Sequence, residues 1–342
     1  MHTTLNWGII GTGFIAHIFA EGIAQSNTGK LVAVGSRTQY AADKFGETWN
    51  VPRRYGSYTK LLADKDVQAV YISTPHPLHA QWAIKAAAAG KHILCEKPLT
   101  LNYAQAETVI EAARKNDVFL MEAFMYRCHP QTEKLVELIR SGMIGQVRVI
   151  QATFSFNSDN DPGGRLLNNA LGGGGILDVG GYCTSIARLI AGAAIEQRFA
   201  NPVRVVGTGH IGETHVDEYA VASLLFPGDI IAELFCGVRV NGGSNVHIYG
   251  TEGSIFVPEP FTPRAGEMLS MRVKKDSGQD VQDIFVENNA DLYALEADTV
   301  AKYIDHRQAP TMNWEDTLGN MRTLDQWRAA VGVVYAAEVG EI

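Results

Sequence analysis

Short apolar runs alternate with helically spaced stretches over the first third of the chain. Runs at 5–10, 31–35, 69–73, 92–95 and 118–121 read as buried strands, and 14–25, 39–48, 78–89 and 104–115 as helices. Strand and helix in steady alternation predict a parallel sheet wound with helices. After about residue 123 the pattern changes. Apolar or alternating stretches at 146–156, 203–208, 218–226, 230–238 and 246–249 follow one another with turns between them, and Pro227-Gly228-Asp229 reads as a hairpin turn. Two helical stretches, 292–304 and 314–335, close the chain. Successive strands without intervening helices predict a mostly antiparallel, open sheet.

Directly behind the first apolar run stands Gly11-Thr12-Gly13-Phe14-Ile15-Ala16. Strand, G-x-G-x-x-A and helix in that order form a dinucleotide-binding turn. Gly11 allows the tight bend, Gly13 lets backbone approach a pyrophosphate, and Ala16 lets helix and strand pack closely. The following helix offers free N–H groups and a positive dipole end to phosphates. About twenty residues on, an NAD site carries an acid for the ribose 2′-hydroxyl, and a nearby Arg marks a 2′-phosphate instead. Ser36 and Arg37 occupy that place, so NADP(H) is the expected cofactor. The fold expected is an α/β Rossmann domain, 1–123, followed by an α+β substrate and oligomerisation domain, 124–342.

The chain has 342 residues, 46% of them hydrophobic, and a net charge of −8, which fits two globular domains. With no basic block, nucleic acid or an anionic membrane surface has no electrostatic support as a partner. The start, Met1-His2-Thr3-Thr4, runs almost at once into the first strand without a charged, cleavable leader, so a cytoplasmic protein is expected. Cys95, Cys128, Cys183 and Cys236 are scattered and read as small buried hydrophobes in a reducing compartment. His76 and His79 flank Pro77, a poor arrangement for paired metal ligands, and no metal is expected.

Two groups of residues could carry chemistry. Glu96-Lys97-Pro98 ends a predicted parallel strand, where open α/β sheets bind ligands. A Lys there can stabilise negative charge developing on oxygen, or it can be half of a surface ion pair. The second group is the glycine run 172–175 leading to Asp178 and, four residues later, Tyr182. On a helix the two share a face. Gly180 and Gly181 between them make sense where backbone approaches another body, such as a nicotinamide or substrate ring. The alternative is a glycine-rich loop whose Asp caps the helix.

These motifs, with Ser73-Thr74-Pro75 and Pro77-Leu78-His79, fall in the order and spacing of the Gfo/Idh/MocA oxidoreductases, a family the chain resembles over essentially its full length. The family usually has His four residues after the Asp. Tyr182 in that place, with the stretch 121–130, resembles the dimeric dihydrodiol dehydrogenase and NADP D-xylose dehydrogenase branch. The resemblance implies that Gly11, Gly13, Phe14 and Ile15 hold the pyrophosphate and Ser36 and Arg37 the 2′-phosphate. It places Thr74, Pro75 and His79 along the cofactor, Glu96 and Lys97 at the nicotinamide ribose, and Arg165 near cofactor or substrate.

Tyr182 would be the acid/base, with Lys97 assisting and Asp178 orienting the substrate. A free phenol titrates near pH ~10, so a neighbouring positive charge is needed. Arg127 and His129 are candidates for substrate hydroxyls, or else an ion pair at a domain seam. The expected substrate is an aldose or related sugar, or a cyclic diol. The contrasting reading is a non-catalytic NADP(H)- or sugar-sensing regulator on the same fold. Strand 218–226 is apolar at both parities, which predicts a second cover for its sheet, a homodimer or homotetramer partner or the C-terminal helices.

Overall fold

A computed structural model describes residues 4–158, 161–275 and 281–339. Met1, His2 and Thr3, on which the reading of the chain start rests, lie outside the described residues. Two compact units form: Met1–Cys128 with Ala290–Leu318, and His129–Asn289 with Gly319–Ile342. The first unit thus takes back 290–318, which the sequence pattern assigns to the second domain. A contact across so long a stretch of chain leaves no local periodicity to read.

The first unit holds a six-stranded parallel sheet of β1 (Leu5–Ile10), β2 (Gly29–Gly35), β3 (Arg53–Tyr55), β4 (Ala69–Ile72), β5 (His92–Glu96) and β6 (Leu120–Ala123). Helices α1 (Phe14–Ile23), α2 (Gln39–Thr48), α3 (Tyr58–Leu62), α4 (His79–Ala88) and α5 (Tyr103–Lys115) connect them. The continuous apolar run of β4, and the mostly apolar β1 and β6, are what a sheet covered on both faces requires. In the order β3-β2-β1-β4-β5-β6 the winding reverses between β1 and β4, which opens a crevice at their carboxyl ends. Phe19 of α1 stacks on Tyr71 of β4 at 3.8 Å and meets the edge of Trp7 at 5.4 Å, fixing α1 over that crevice. Neither β3 nor α3 is among the predicted elements; three and five residues are too short to display a period.

The second unit opens with α6 (Pro130–Arg140) and carries α7 (Gly181–Ala194) beside an eight-stranded sheet. Its strands are β7 (Val147–Asn157), β8 (Arg204–Ile211), β9 (Asp217–Phe226), β10 (Ile230–Gly237), β11 (Arg239–Gly250), β12 (Gly253–Val257), β13 (Leu269–Lys275) and β14 (Val281–Val286). Their order is β14-β13-β12-β11-β7-β10-β9-β8, and the β7–β10 pair is parallel while the other neighbours run antiparallel. The β9–β10 hairpin closes through 227–229 with Phe226 opposite Ile230, as expected. α7 packs on β7 and β10. Ala220, Ala222, Leu224 and Phe226 of β9 are buried, while Tyr219, Val221 and Leu225 on the other parity stay exposed.

The returning segment of the first unit is α8 (Leu292–Tyr303), capped by Asp291. α8 packs against α1, where a Cβ on Gly22 would lie 2.5 Å from that of Tyr293. Asp298 of α8 accepts hydrogen bonds from Ser26 Oγ (2.5 Å), Thr28 Oγ1 (2.6 Å) and the backbone of Asn27 (3.2 Å). Burial alone would raise this carboxyl, but the donors overrule it and hold it below its ordinary range. α9 (Trp314–Val331) begins in the first unit and ends in the second. Among the described residues no helix is long and apolar enough to cross a membrane.

Candidate active site

The nucleotide-binding end of the first unit is built by the β1–α1 turn. Gly11 has φ +111°, and a Cβ there would stand 2.8 Å from Ser73 Oγ and 3.0 Å from its carbonyl. Only glycine fits. Around Gly13, by contrast, the space a Cβ would enter is open, room that a phosphate can fill at the N-terminus of α1. Phe14 is 81% exposed, which burial of an apolar ring against a ligand would explain. At the end of β2, Ser36 Oγ lies 3.1 Å from Thr12 Oγ1, and Arg37 is exposed. Thr38 caps α2, whose first turn contains no acid. The buried Thr74 Oγ1, just beyond β4, has no hydrogen-bond partner among the described residues. A nucleotide cofactor fits this set of open space, helix terminus, cation and unsatisfied hydroxyl.

Thr74 and Lys97 each stand two residues beyond the paired Ile72 and Cys95, so β4 and β5 deliver them to one end of the sheet. Lys97 is half-buried, and the Lys97–Pro98 peptide is cis. His79 is fully buried, with Nδ1 2.8 Å from the Pro98 carbonyl and Nε2 2.7 Å from that of Thr74. Both ring nitrogens are engaged by the protein's own backbone, so His79 braces the two strand ends against each other. Glu96 is buried and bonded to the Tyr71 hydroxyl. Glu122, which sequence reasoning missed, accepts from the Leu99 amide at 2.8 Å and fixes the turn after Pro98. Glu296 of α8 was missed as well. Burial, and then the charge of Glu96, push its carboxyl well above the usual carboxylate range.

In the second unit the glycine run enters a π-helical turn, Ile176–Gly180, that leads straight into α7. π-helical turns recur at functional sites because they re-aim the side chains they carry. The glycines here meet the protein itself. A Cβ on Gly175 would lie 3.0 Å from Gly237 Cα, and one on Gly180 would lie 3.1 Å from Cys236 Sγ and from the Trp327 ring. The close approach expected at Gly180 is therefore to β10 and α9, not to a bound ring. Asp178, 5% exposed, accepts from Arg165 Nη1 at 2.9 Å. Tyr182 packs edge-on against Phe154 (5.3 Å) and tilted against Phe261 (5.4 Å), and those two rings stack at 5.2 Å. Both phenylalanines were missed, since neither lies near Tyr182 in sequence.

Asp217 holds this segment in place. Its Oδ2 accepts from the Ile176 amide at 2.6 Å, and a Cβ on Gly174, at φ +104°, would lie 2.3 Å from its Oδ1. Burial outweighs the backbone donors and the charge of Arg328 and pushes the carboxyl up to about 7. The thiol of Cys236 and the phenol of Tyr335, both neutral, complete its surroundings. A folded-state value above the unfolded one means that stability is fully present below about pH 4 and is lost as pH rises through 7. Asp217→Asn keeps the acceptor for Ile176 and cannot ionise. Its stability relative to the parent should therefore grow between pH 5 and 8, by up to about 1.4 kcal/mol per pH unit. Urea melts at a series of pH values would measure this, and parallel curves for the two proteins would reject it.

Two sequence-predicted substrate ligands have other partners. Arg127 is buried against Asp316, Nη2 to Oδ2 2.6 Å, an ion pair inside the first unit. His129 is 2% exposed and caps α6, its Nδ1 accepting from the Gln131 amide at 3.1 Å. Its Nε2 lies 2.8 Å from Asn288 Oδ1. Both residues thus have polar partners within the protein, as burial requires of polar groups.

A Rossmann unit with a phosphate-ready turn, followed by a unit built on a large open sheet, defines an NAD(P)-binding oxidoreductase. Residues 5–124 match the oxidoreductase family with an NAD-binding Rossmann fold, and residues 132–256 match the GFO/IDH/MocA C-terminal domain. The chain belongs to the Gfo/Idh/MocA oxidoreductase family. It is 32% identical to mouse trans-1,2-dihydrobenzene-1,2-diol dehydrogenase over 97% of its own length and 98% of the relative's. It is 30% identical to the Xenopus laevis enzyme of the same name, over 96% and 98%. KijD10, a 3-ketoreductase from Actinomadura kijaniata solved with NADP and TDP-benzene, superposes with TM-score 0.86 at 27% identity, covering 96% of this chain and 98% of that one. An aldose-aldose oxidoreductase from Caulobacter crescentus does so with TM-score 0.86 at 26% identity and the same coverage.

Proposed function

We propose that the chain uses NADP(H) to interconvert a hydroxyl and a carbonyl on a sugar or cyclic diol, with Tyr182 as the acid/base. The observation that carries this reading is the Asp178–Tyr182 pair, its carboxylate held by Arg165 and its phenol flanked by Phe154 and Phe261. A fixed carboxylate suits a substrate hydroxyl, and aromatic rings suit the apolar face of a carbocycle or pyranose. In the oxidising direction the Tyr182 oxygen takes the proton of the reacting hydroxyl, and in the reducing direction it returns that proton to the carbonyl oxygen. NADP(H), when bound, accepts or supplies the hydride. Lys97 contributes positive charge that favours the ionised phenol, and Asp178 orients a second hydroxyl. Gly11, Gly13, Phe14 and Ile15 hold the pyrophosphate, and Ser36 and Arg37 the 2′-phosphate. Thr74, Pro75 and Glu96 border the remainder of the cofactor.

The test is the reduced-nicotinamide absorbance of the purified chain with NADPH while ketoses, aldoses and diketones are added, and with NADP⁺ while aldoses, inositols and trans-dihydrodiols are added. Turnover with at least one class is expected. Tight NADPH binding without turnover across the whole panel would favour the sensing regulator instead. The four cysteines, none in a disulfide, support a reducing, cytoplasmic setting.

Two copies pack through the uncovered sheet face. Val206, Val221, Leu225 and Ile231 lie there at 37–49% exposure, on the side of the sheet opposite the buried Ala220, Ala222 and Leu224. A sheet face that carries these apolar side chains, beside the polar Ser223 and Glu233, is suited to cover by a partner. Light scattering at micromolar concentration should give at least twice the chain mass, and a monomer mass would reject the assembly.

A further inference from the structure

Phe261 does not belong to a strand or helix. It sits in the connection between β12 and β13, which has no backbone ladder to hold it. What fixes this connection is Asn288, just beyond β14. Its side-chain Nδ2 donates to the Arg264 carbonyl at 2.6 Å, and its backbone carbonyl accepts from the Gly266 amide at 2.6 Å. The remaining atom, Oδ1, faces His129 Nε2 at 2.8 Å. Because His129 Nδ1 accepts from the Gln131 amide, its proton sits on Nε2 and is donated to Asn288. Burial lowers the His129 pKa, which keeps the ring in that neutral form. The head of α6 is thereby tied, through two buried side chains, to the loop that presses Phe261 on Tyr182.

We propose that His129 and Asn288 are positioning residues for the loop 258–268, and that by placing Phe261 against Tyr182 they select substrates that lay a continuous apolar ring face beside the reacting hydroxyl. The selection rests on Tyr182 being the acid/base; the tie itself does not. Phe154 is placed by β7 and Phe261 by the loop, so Phe261 is the half of the aromatic flank that the tie controls.

Three variants test this in the full chain. His129→Asn keeps a good helix N-cap for α6 and loses the reach to Asn288. Asn288→Ala loses both side-chain bonds, and Phe261→Leu removes the ring alone. Arg264 is exposed, so trypsin cleavage after it reports loop opening without reference to activity. Both tie variants should be nicked there roughly tenfold faster, the effect of losing about one buried hydrogen bond from a local opening equilibrium.

All three should lower kcat/KM for a trans-dihydrodiol relative to an aldose by roughly tenfold, the scale on which apolar pockets discriminate. NADP(H) affinity should stay unchanged. Unaltered nicking would overturn the tie. Faster nicking with an unaltered substrate ratio would overturn the selectivity, as would a uniform loss on both substrates. A Tyr182→Phe protein that keeps full turnover would remove the acid/base reading alone, and the nicking rates would still decide whether His129 and Asn288 hold the loop.

Discussion

Tyr182→Phe is expected to bind NADP(H) as the parent does and to lose turnover by roughly 10²–10⁴-fold, the usual contribution of a general acid/base. The ring is buried between Phe154 and Phe261, and Phe preserves that packing while deleting the one atom able to carry the proton. Lys97→Ala should lower turnover in the same sense, and titration of either variant with NADPH should give an affinity close to the parent's. Stopped-flow measurement of a single turnover separates the chemical step from product release. A Tyr182→Phe rate near that of the parent would remove the phenol from the mechanism. Loss of cofactor binding in the Lys97 variant would reassign that residue to the nucleotide.

The second large effect falls on cofactor choice. Arg37 is exposed at the end of β2, beyond Ser36, and the first turn of α2 contains no acid. A charge-assisted bond from a guanidinium to a phosphate contributes about 1.5–3 kcal/mol. Arg37→Ala should therefore weaken NADP(H) roughly ten- to a hundredfold and leave NAD(H) almost unchanged. Raising the salt concentration should narrow the difference, since the contact is between exposed charges. Equal weakening of both cofactors, measured by fluorescence titration, would mean that Arg37 serves the fold and not the 2′-phosphate.

Different parts of the site were legible to different degrees. The helices 39–48 and 104–115 could be read to within a residue because amphipathic spacing is a local property. β13 also carries an open period of two, Leu269, Met271 and Val273 alternating with Ser270, Arg272 and Lys274, yet it is absent from the predicted strands. Asp217, Glu122, Glu296 and Phe261 are a different case. Each acts on a residue far away in the chain, and nothing in its own neighbourhood marks it. For Arg127 and His129 the sequence left a substrate contact and an ion pair both open, and only the packed structure shows one as half of an ion pair with Asp316 and the other as a helix cap.

By itself the sequence determined the alternation of strand and helix, the glycine turn at the end of β1, the Ser36–Arg37 pair beyond β2 and the spacing of Asp178 and Tyr182. All of these are set by neighbours within one element or one turn, where side-chain size, backbone freedom and period act directly. The tertiary structure decided that 290–318 returns to the first unit, and that the glycine run closes on β10 and Asp217. It also decided that His79 braces two strand ends and that Phe261 reaches Tyr182 from a loop held by Asn288. These outcomes depend on which buried polar groups find each other once distant segments pack, and that matching is a property of the folded chain as a whole.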